Sequence, residues 1–232
     1  MKMRYLRDFV ELFFPKVCCI CGTPLVGDEH SICCNCLFNL PEALSAQVSP
    51  NYLEYRFAGR IPIEHATAML IFKKESNSQT ILHEIKYHGN ERLAITMGRQ
   101  MGIVLSNSGK YNHVDFLVPV PLHPSKERKR GYNQSYLLCK GIQQTFFCDI
   151  DDKVLIRSQR TESQTHKNRE ERMENMKGVF AIRDRKKFEG KHILLVDDVV
   201  TTGATAEACW EALKSIEGIR ISIAALAVTG DT

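Results

Sequence analysis

Residues 192–205 read HILLVDDVVTTGAT. Ile193 to Val196 form an unbroken aliphatic run with the character of a buried strand. Asp197 and Asp198 follow at once, and then a turn of small and hydroxyl residues, Thr201, Thr202, Gly203, Ala204 and Thr205. Adjacent carboxylates repel each other unless a cation or hydroxyl donors are placed to meet them. In a parallel sheet ligands bind beyond the carboxyl ends of the strands, and the alternation of a strand turns the two acids to different sides. A carboxylate there can accept hydrogen bonds from vicinal sugar hydroxyls or help to hold hydrated Mg²⁺. The helix expected to start at the threonine turn offers free amides and a positive dipole end, which favour a phosphate. Gly203 lacks the Cβ that would block close approach. Hydroxyl acceptors and phosphate donors a few residues apart describe a seat for a 5-phosphorylated ribose. Alone, the acid pair would read as a surface feature at a strand end; the turn beside it argues otherwise.

Working outward, strand-like runs alternate with helical patterns from about Ala66, the pattern of a parallel sheet with crossover helices. ATAMLIF, DFLVPVPLH, KVLIRSQ, KHILLVDD and IRISIAALAV read as strands, the second leaving the sheet at Pro119 or Pro121 and the last closing it. SQTILHEIKYHG, LAITMGRQMGIVLSN, YNQSYLLCKGIQQTF and TAEACWEALKSI read as helices. The third turns Leu137, Leu138 and Ile142 inward, and the fourth carries Ala206, Cys209, Leu213 and Ile216 on one stripe. TESQTHKNREERMENMKG is too polar to be buried, and residues 45–65 read as a polar connector. This predicts two regions: an N-terminal helix, cysteine module and connector over 1–60, and an α/β domain over 61–232.

At 232 residues the chain can hold one α/β domain plus a small module. Its net charge of +4 is unevenly spread: residues 121–191 carry 17 basic against 10 acidic residues, the remainder 14 against 17. The basic middle suits phosphate or nucleic-acid partners, and equally a solvated surface with a mild bias. No run of 18 apolar residues is present, which argues against membrane insertion. The first fourteen residues are interrupted by charge, unlike a secretion signal, and place Leu6, Phe9, Val10 and Phe13 on one helical face. A cytoplasmic protein with reduced or metal-bound cysteines is expected. No G-x-x-x-x-G-K-[ST] or G-x-G-x-x-G pattern occurs, so the common nucleotide loops are excluded.

Six of the nine cysteines fall before residue 45. Cys18-x2-Cys21 and Cys33-x2-Cys36 stand eleven residues apart, a spacing that brings four thiolates to one tetrahedral Zn²⁺. Four sulfurs leave no open position for water, so the site is structural in kind. Cys19 and Cys34 each adjoin a proposed ligand and could replace it. Cys139, Cys148 and Cys209 lie on apolar faces and read as core.

ILLVDDVVTTGAT resembles, at all thirteen positions, the phosphoribosyl pyrophosphate (PRPP) signature of type I phosphoribosyltransferases. PVPLHPSKERKRGYNQS, centred on Arg130-Gly131-Tyr132-Asn133-Gln134, and the upstream IKYHGNERLA resemble blocks of the ComF family of competence proteins. So does a block with Thr161, Gln164, Arg172, Asn175, Gly178 and Phe180, and the four-cysteine finger completes the likeness. It covers nearly the whole chain, with nothing to carry over at 40–65. It implies a type I phosphoribosyltransferase-like parallel sheet with flanking helices. It also implies that Asp197 and Asp198 are the catalytic carboxylates taking the ribose hydroxyls, with Mg²⁺ nearby. Thr201, Thr202, Gly203, Ala204 and Thr205 would take the 5-phosphate. Arg130, with Lys126, Arg128 and Lys129, would reach the pyrophosphate. Beyond the ligand it implies a role in bringing single-stranded DNA into the cell during natural transformation, with a helicase-like partner, and DNA contact through the finger or the basic surface. The alternative is an active phosphoribosyltransferase acting on an unidentified base or amine.

Overall fold

A computed structural model describes residues 15–43, 45–157 and 178–230. In chain order the elements are α1 (Cys34–Phe38), α2 (Tyr52–Phe57), β1 (Ile63–Phe72), α3 (Asn77–Tyr87), α4 (Glu91–Ser108), β2 (Phe116–Pro119), α5 (Pro124–Arg130) and α6 (Gln134–Gln143). They continue with β3 (Asp149–Ile150), β4 (Leu155–Arg157), β5 (Phe180–Ile182), β6 (His192–Val200), α7 (Ala204–Leu213) and β7 (Arg220–Thr229). Five strands form one sheet in the order β1-β7-β6-β2-β3, with every pairing parallel. This is the expected parallel sheet with flanking helices.

Strand alternation divides the core into two layers. Leu194 and Val196 of β6 join the layer built with α3, α4 and α6, whereas Ile193 and Leu195 join the layer built with α2 and α7. The stripe Ala206, Cys209, Leu213 and Ile216 is buried as expected, as are Leu137, Leu138 and Ile142. Cys139, Cys148 and Cys209 are also core residues. Helices α4 and α6 approach closely because glycines face glycines. A Cβ on Gly98 would fall against the Leu138 carbonyl and within 2.9 Å of the Gly141 Cα.

Three features differ from the sequence reading. The last strand does not finish the sheet at an edge: β7 lies between β1 and β6. Its residues Ile221 to Val228 are all buried, the continuous burial of a strand covered on both faces. KVLIRSQ does not extend the parallel sheet either. Its β4 pairs antiparallel with β5 in a separate two-stranded sheet. The cause is Asp151, 2% exposed, whose Oδ1 accepts the amides of Lys153 (3.1 Å) and Val154 (2.8 Å) and turns the chain away after β3. The polar connector, finally, contains α2. Asn51 caps it by accepting the amides of Leu53 and Glu54, and the Glu54 carboxylate accepts the Asn51 amide in return. This helix buries Leu53 and Phe57 completely. The N-terminal apolar face and the polar stretch 158–177 lie outside the described residues.

Candidate functional site

The site is set by where β2 stops. Pro119 pairs with Val196, and the Val120 amide still donates to the Val196 carbonyl at 2.9 Å. Beyond that point β2 leaves, while β6 continues beside β7 to Val200. Asp197 and Asp198 therefore sit inside β6 rather than at its last residue, but with an open flank on the β2 side.

The two acids diverge as strand alternation requires. Asp198 reaches the α3 side, where Lys86 Nζ lies 3.0 Å from its Oδ1. Asp197 accepts the Asp198 amide at 2.8 Å and the Ser135 hydroxyl at 3.4 Å. Ser135 sits at the start of α6, a helix capped by Asn133, which also donates to the Val120 carbonyl at 3.0 Å. Burial first, and the adjoining Asp198 charge second, push the Asp197 carboxyl up to about 7; the Asp198 amide, Lys86 and Ser135 oppose that rise. Ionisation of this group thus straddles neutrality and responds to any cation or donor brought beside it.

The threonine turn follows. Thr201 is exposed, Thr202, Ala204 and Thr205 are half-buried, and Gly203 is buried with φ at +85°. Gly203, the cap position of the helix that begins at Ala204, has no side chain to cap it, and the Thr202 hydroxyl accepts the Ala204 amide at 3.4 Å. Gly203 is a required glycine for two reasons. Its φ lies in the left-handed region, and a Cβ would stand 2.6 Å from Cε1 of Phe57. The acid pair and the turn are thus carried by one continuous segment, β6 into α7.

Arg130 ends α5, a short helix with no buried residue, and its guanidinium lies over the Tyr87 ring at 5.8 Å. Tyr87 follows Lys86 directly, so the basic helix and the acid pair share α3 as a common neighbour. Lys126, Arg128 and Lys129 are exposed. Gln164 and Arg172 lie outside the described residues. Lys86 lies within IKYHGNERLA, but the sequence assigns no role to it, nor to Ser135, Arg56 or Arg60.

At the other end of the chain the sulfurs of Cys18, Cys21, Cys33 and Cys36 all lie within 4.8 Å of one another. This set could hold a metal such as zinc. The donor chemistry fits: the Cys33 amide points at the Cys18 sulfur and the Cys36 amide at the Cys33 sulfur, each at 3.4 Å. The Thr23 hydroxyl and amide bring the Cys21 thiol down to about 6. Burial raises the Cys18 thiol, but amides of Cys21, Cys33 and Ile20 outweigh it and leave the group lowered. Neither Cys19 nor Cys34 belongs to the set. The Cys34 amide is tied to Glu29 Oε1 at 2.7 Å on the exposed side of α1, and Cys19 packs against the core. Among the described residues no helix is long and apolar enough to cross a membrane.

Comparison with known proteins bears on this arrangement. Residues 142–231 match the model of the phosphoribosyl transferase domain family. The chain is 26% identical over 203 residues to the DNA utilization protein YhgH of Escherichia coli K12, covering 84% of this chain and 88% of that protein. It is 24% identical over 199 residues to the competence protein ComFC of Bacillus subtilis, covering 86% and 72%. It is 23% identical over 151 residues to competence protein F of Haemophilus influenzae, covering 63% and 66%. The chain thus resembles competence and DNA-utilization proteins over most of its length, and a phosphoribosyl transferase domain over residues 142–231. The matched domain begins within α6 and takes in the acid pair and the turn, while the cysteine set lies outside it.

Proposed function

We propose that this chain is a ComF-family protein that binds PRPP, or a ribose 5-phosphate unit, at the β6–α7 segment and uses that site in the handling of single-stranded DNA. The observation that carries the reading is the open flank at Asp197 and Asp198, continuous with a helix start whose cap position is a glycine, Gly203. Asp197 and Asp198 take the ribose hydroxyls, with Mg²⁺ arriving alongside the pyrophosphate. Thr201 to Thr205 take the 5-phosphate, and Arg130 faces the pyrophosphate from α5. Zinc held by Cys18, Cys21, Cys33 and Cys36 fixes the N-terminal module. Support for the DNA role comes from relatives named for competence and DNA utilization and from the exposed basic helix α5, whose cations suit phosphates.

The test is calorimetric titration with PRPP and Mg²⁺ of the natural chain and of a variant carrying both Asp197→Asn and Asp198→Asn. Loss of both charged acceptors should weaken binding roughly 100-fold or more, the scale of two hydrogen bonds to charged groups. Affinity for single-stranded DNA, measured against salt, should survive the double change and fall steeply as salt rises. Unchanged PRPP affinity in the variant would refute the site. Pyrophosphate release on adding bases or amines would favour an active transferase over a binding module.

A further inference from the structure

Two arginines outside the site already described converge on the threonine turn from behind. Both belong to the connector: Arg56 lies in α2 and Arg60 just past it. Arg56 Nη1 donates to the Thr201 carbonyl and to Thr229 Oγ1 (3.3 Å), and its Nη2 to the Thr229 carbonyl at 2.7 Å. Arg60 Nη1 donates to the Thr202 carbonyl and to the Arg56 carbonyl, each at 2.9 Å. Its Nε pairs with Glu207 Oε1 in the first turn of α7. Between the two arginines Phe57, fully buried, closes the space under Gly203.

The consequence follows from peptide geometry. In a planar trans peptide the C=O and the N–H point in opposite directions. Arginines that draw the carbonyls of Thr201 and Thr202 toward α2 send the amides of Thr202 and Gly203 the other way. Successive amides aimed at one side of a turn containing a left-handed residue form a concavity for an anion. Glu207 adds an electrostatic problem. A carboxylate in the first turn of α7 stands near the place a phosphate dianion would occupy, and its Oε2 is already buried without a hydrogen-bond partner. The Arg60 guanidinium neutralises it. A forked guanidinium serves both jobs at once, gripping a carbonyl with one nitrogen and a carboxylate with another.

We infer that Arg56 and Arg60 are positioning residues for a phosphomonoester: they hold the Thr201–Gly203 turn with its amides facing the ligand, and Arg60 cancels the Glu207 charge beside it. The assignment rests on the ribose 5-phosphate reading above and adds that the connector, not the matched domain alone, builds the phosphate end. The two arginines grip the turn at Thr201 and Thr202 and the first turn of α7 at Glu207, so the effect is expected at the phosphate end of the ligand.

The experiment uses the full chain carrying Arg56→Ala, Arg60→Ala or Arg60→Lys, with two readouts. Titration with ribose 5-phosphate, PRPP and Mg²⁺-pyrophosphate should show the first two ligands weakened roughly 10- to 100-fold, the size of one charge-assisted hydrogen bond, with Mg²⁺-pyrophosphate unchanged. Glu207→Gln added to Arg60→Ala should recover part of that loss, which a merely structural role would not produce. Arg60→Lys keeps the charge beside Glu207 and guards against a simple folding defect; it should retain part of the affinity. Hydrogen exchange of the ligand-free protein should show faster exchange confined to the amides of residues 201–205. Equal loss for all three ligands, or no loss, overturns the phosphate assignment. Unaccelerated exchange at 201–205 overturns the clamp itself. Failure of the natural chain to bind either phosphorylated sugar would refute the ribose 5-phosphate reading and the ligand with it, while the exchange measurement still decides whether the arginines hold the turn.

Discussion

Gly203→Ala makes the sharpest test of how the connector and the turn fit together. Two penalties apply and one gain opposes them. At φ +85° a residue with a Cβ pays about 1–2 kcal/mol for the left-handed conformation. The new Cβ would also lie 2.6 Å from Phe57 Cε1, and Phe57 is fully buried, so the ring cannot swing aside; such overpacking costs about 1–3 kcal/mol. Against this, alanine restricts the unfolded chain and returns only about 0.4–1 kcal/mol. The penalties win, and a net destabilisation of about 1–5 kcal/mol is expected. Trp210, the single tryptophan of the chain, sits in α7 and reports the transition. Urea unfolding followed by its fluorescence should show a midpoint lower by roughly 1 M, at about 1–3 kcal/mol per M. The decisive step is a double-mutant cycle with Phe57→Leu, which removes the ring atoms nearest Gly203. In that background the glycine change should cost only the backbone term, giving a coupling of about 1–3 kcal/mol. An equal cost in both backgrounds, or a cost of Gly203→Ala below about 0.5 kcal/mol, would show that Phe57 does not shape the turn.

Two further outcomes follow from the site chemistry. Asp197 is raised from 3.8 to about 7, so between those values the folded protein keeps a proton that the unfolded chain has released. Its contribution to stability is therefore full below about 3.8 and lost as pH rises to about 7. The melting temperature of the natural chain relative to Asp197→Asn should fall across that window and level off above it; a constant difference from pH 4 to 8 would contradict the burial argument. Metal analysis should find one zinc per chain, retained in Cys19→Ser and Cys34→Ser but lost in Cys33→Ser or Cys36→Ser. Metal loss should lower the melting temperature by roughly 5–10 °C, at ~2–4 °C per kcal/mol for a chain of this size. Loss of zinc from Cys34→Ser would reassign the ligands.

The features legible before any coordinates were those carried by neighbours in the chain. Ile193 to Val196 announce a buried strand through composition alone, and the register of Cys18, Cys21, Cys33 and Cys36 announces a four-sulfur set through spacing. The stripe Ala206, Cys209, Leu213 and Ile216 follows from the helical repeat, and all four are buried. The connector helix was also within reach. Asn51 followed three residues later by Glu54 is the pattern of a reciprocal cap, but the polar residues around it concealed the signal. Lys86 offered less, since a lysine on a helix reads as solvent-exposed until its partner across the sheet is known.

An α/β chain, an acid pair followed by a hydroxyl turn and a separate cysteine set are all written in the order of the residues. Hydrophobic periodicity, turn chemistry and ligand spacing act over a few residues and survive in a one-dimensional reading. That β7 is interior, that β4 leaves the main sheet and that Lys86 meets Asp198 emerges only from the folded arrangement. It alone brings Arg56 and Arg60 to carbonyls 145 and 142 residues away. Such contacts depend on how two layers pack on a shared sheet, and side chains that meet through packing leave no periodicity in the chain to betray them.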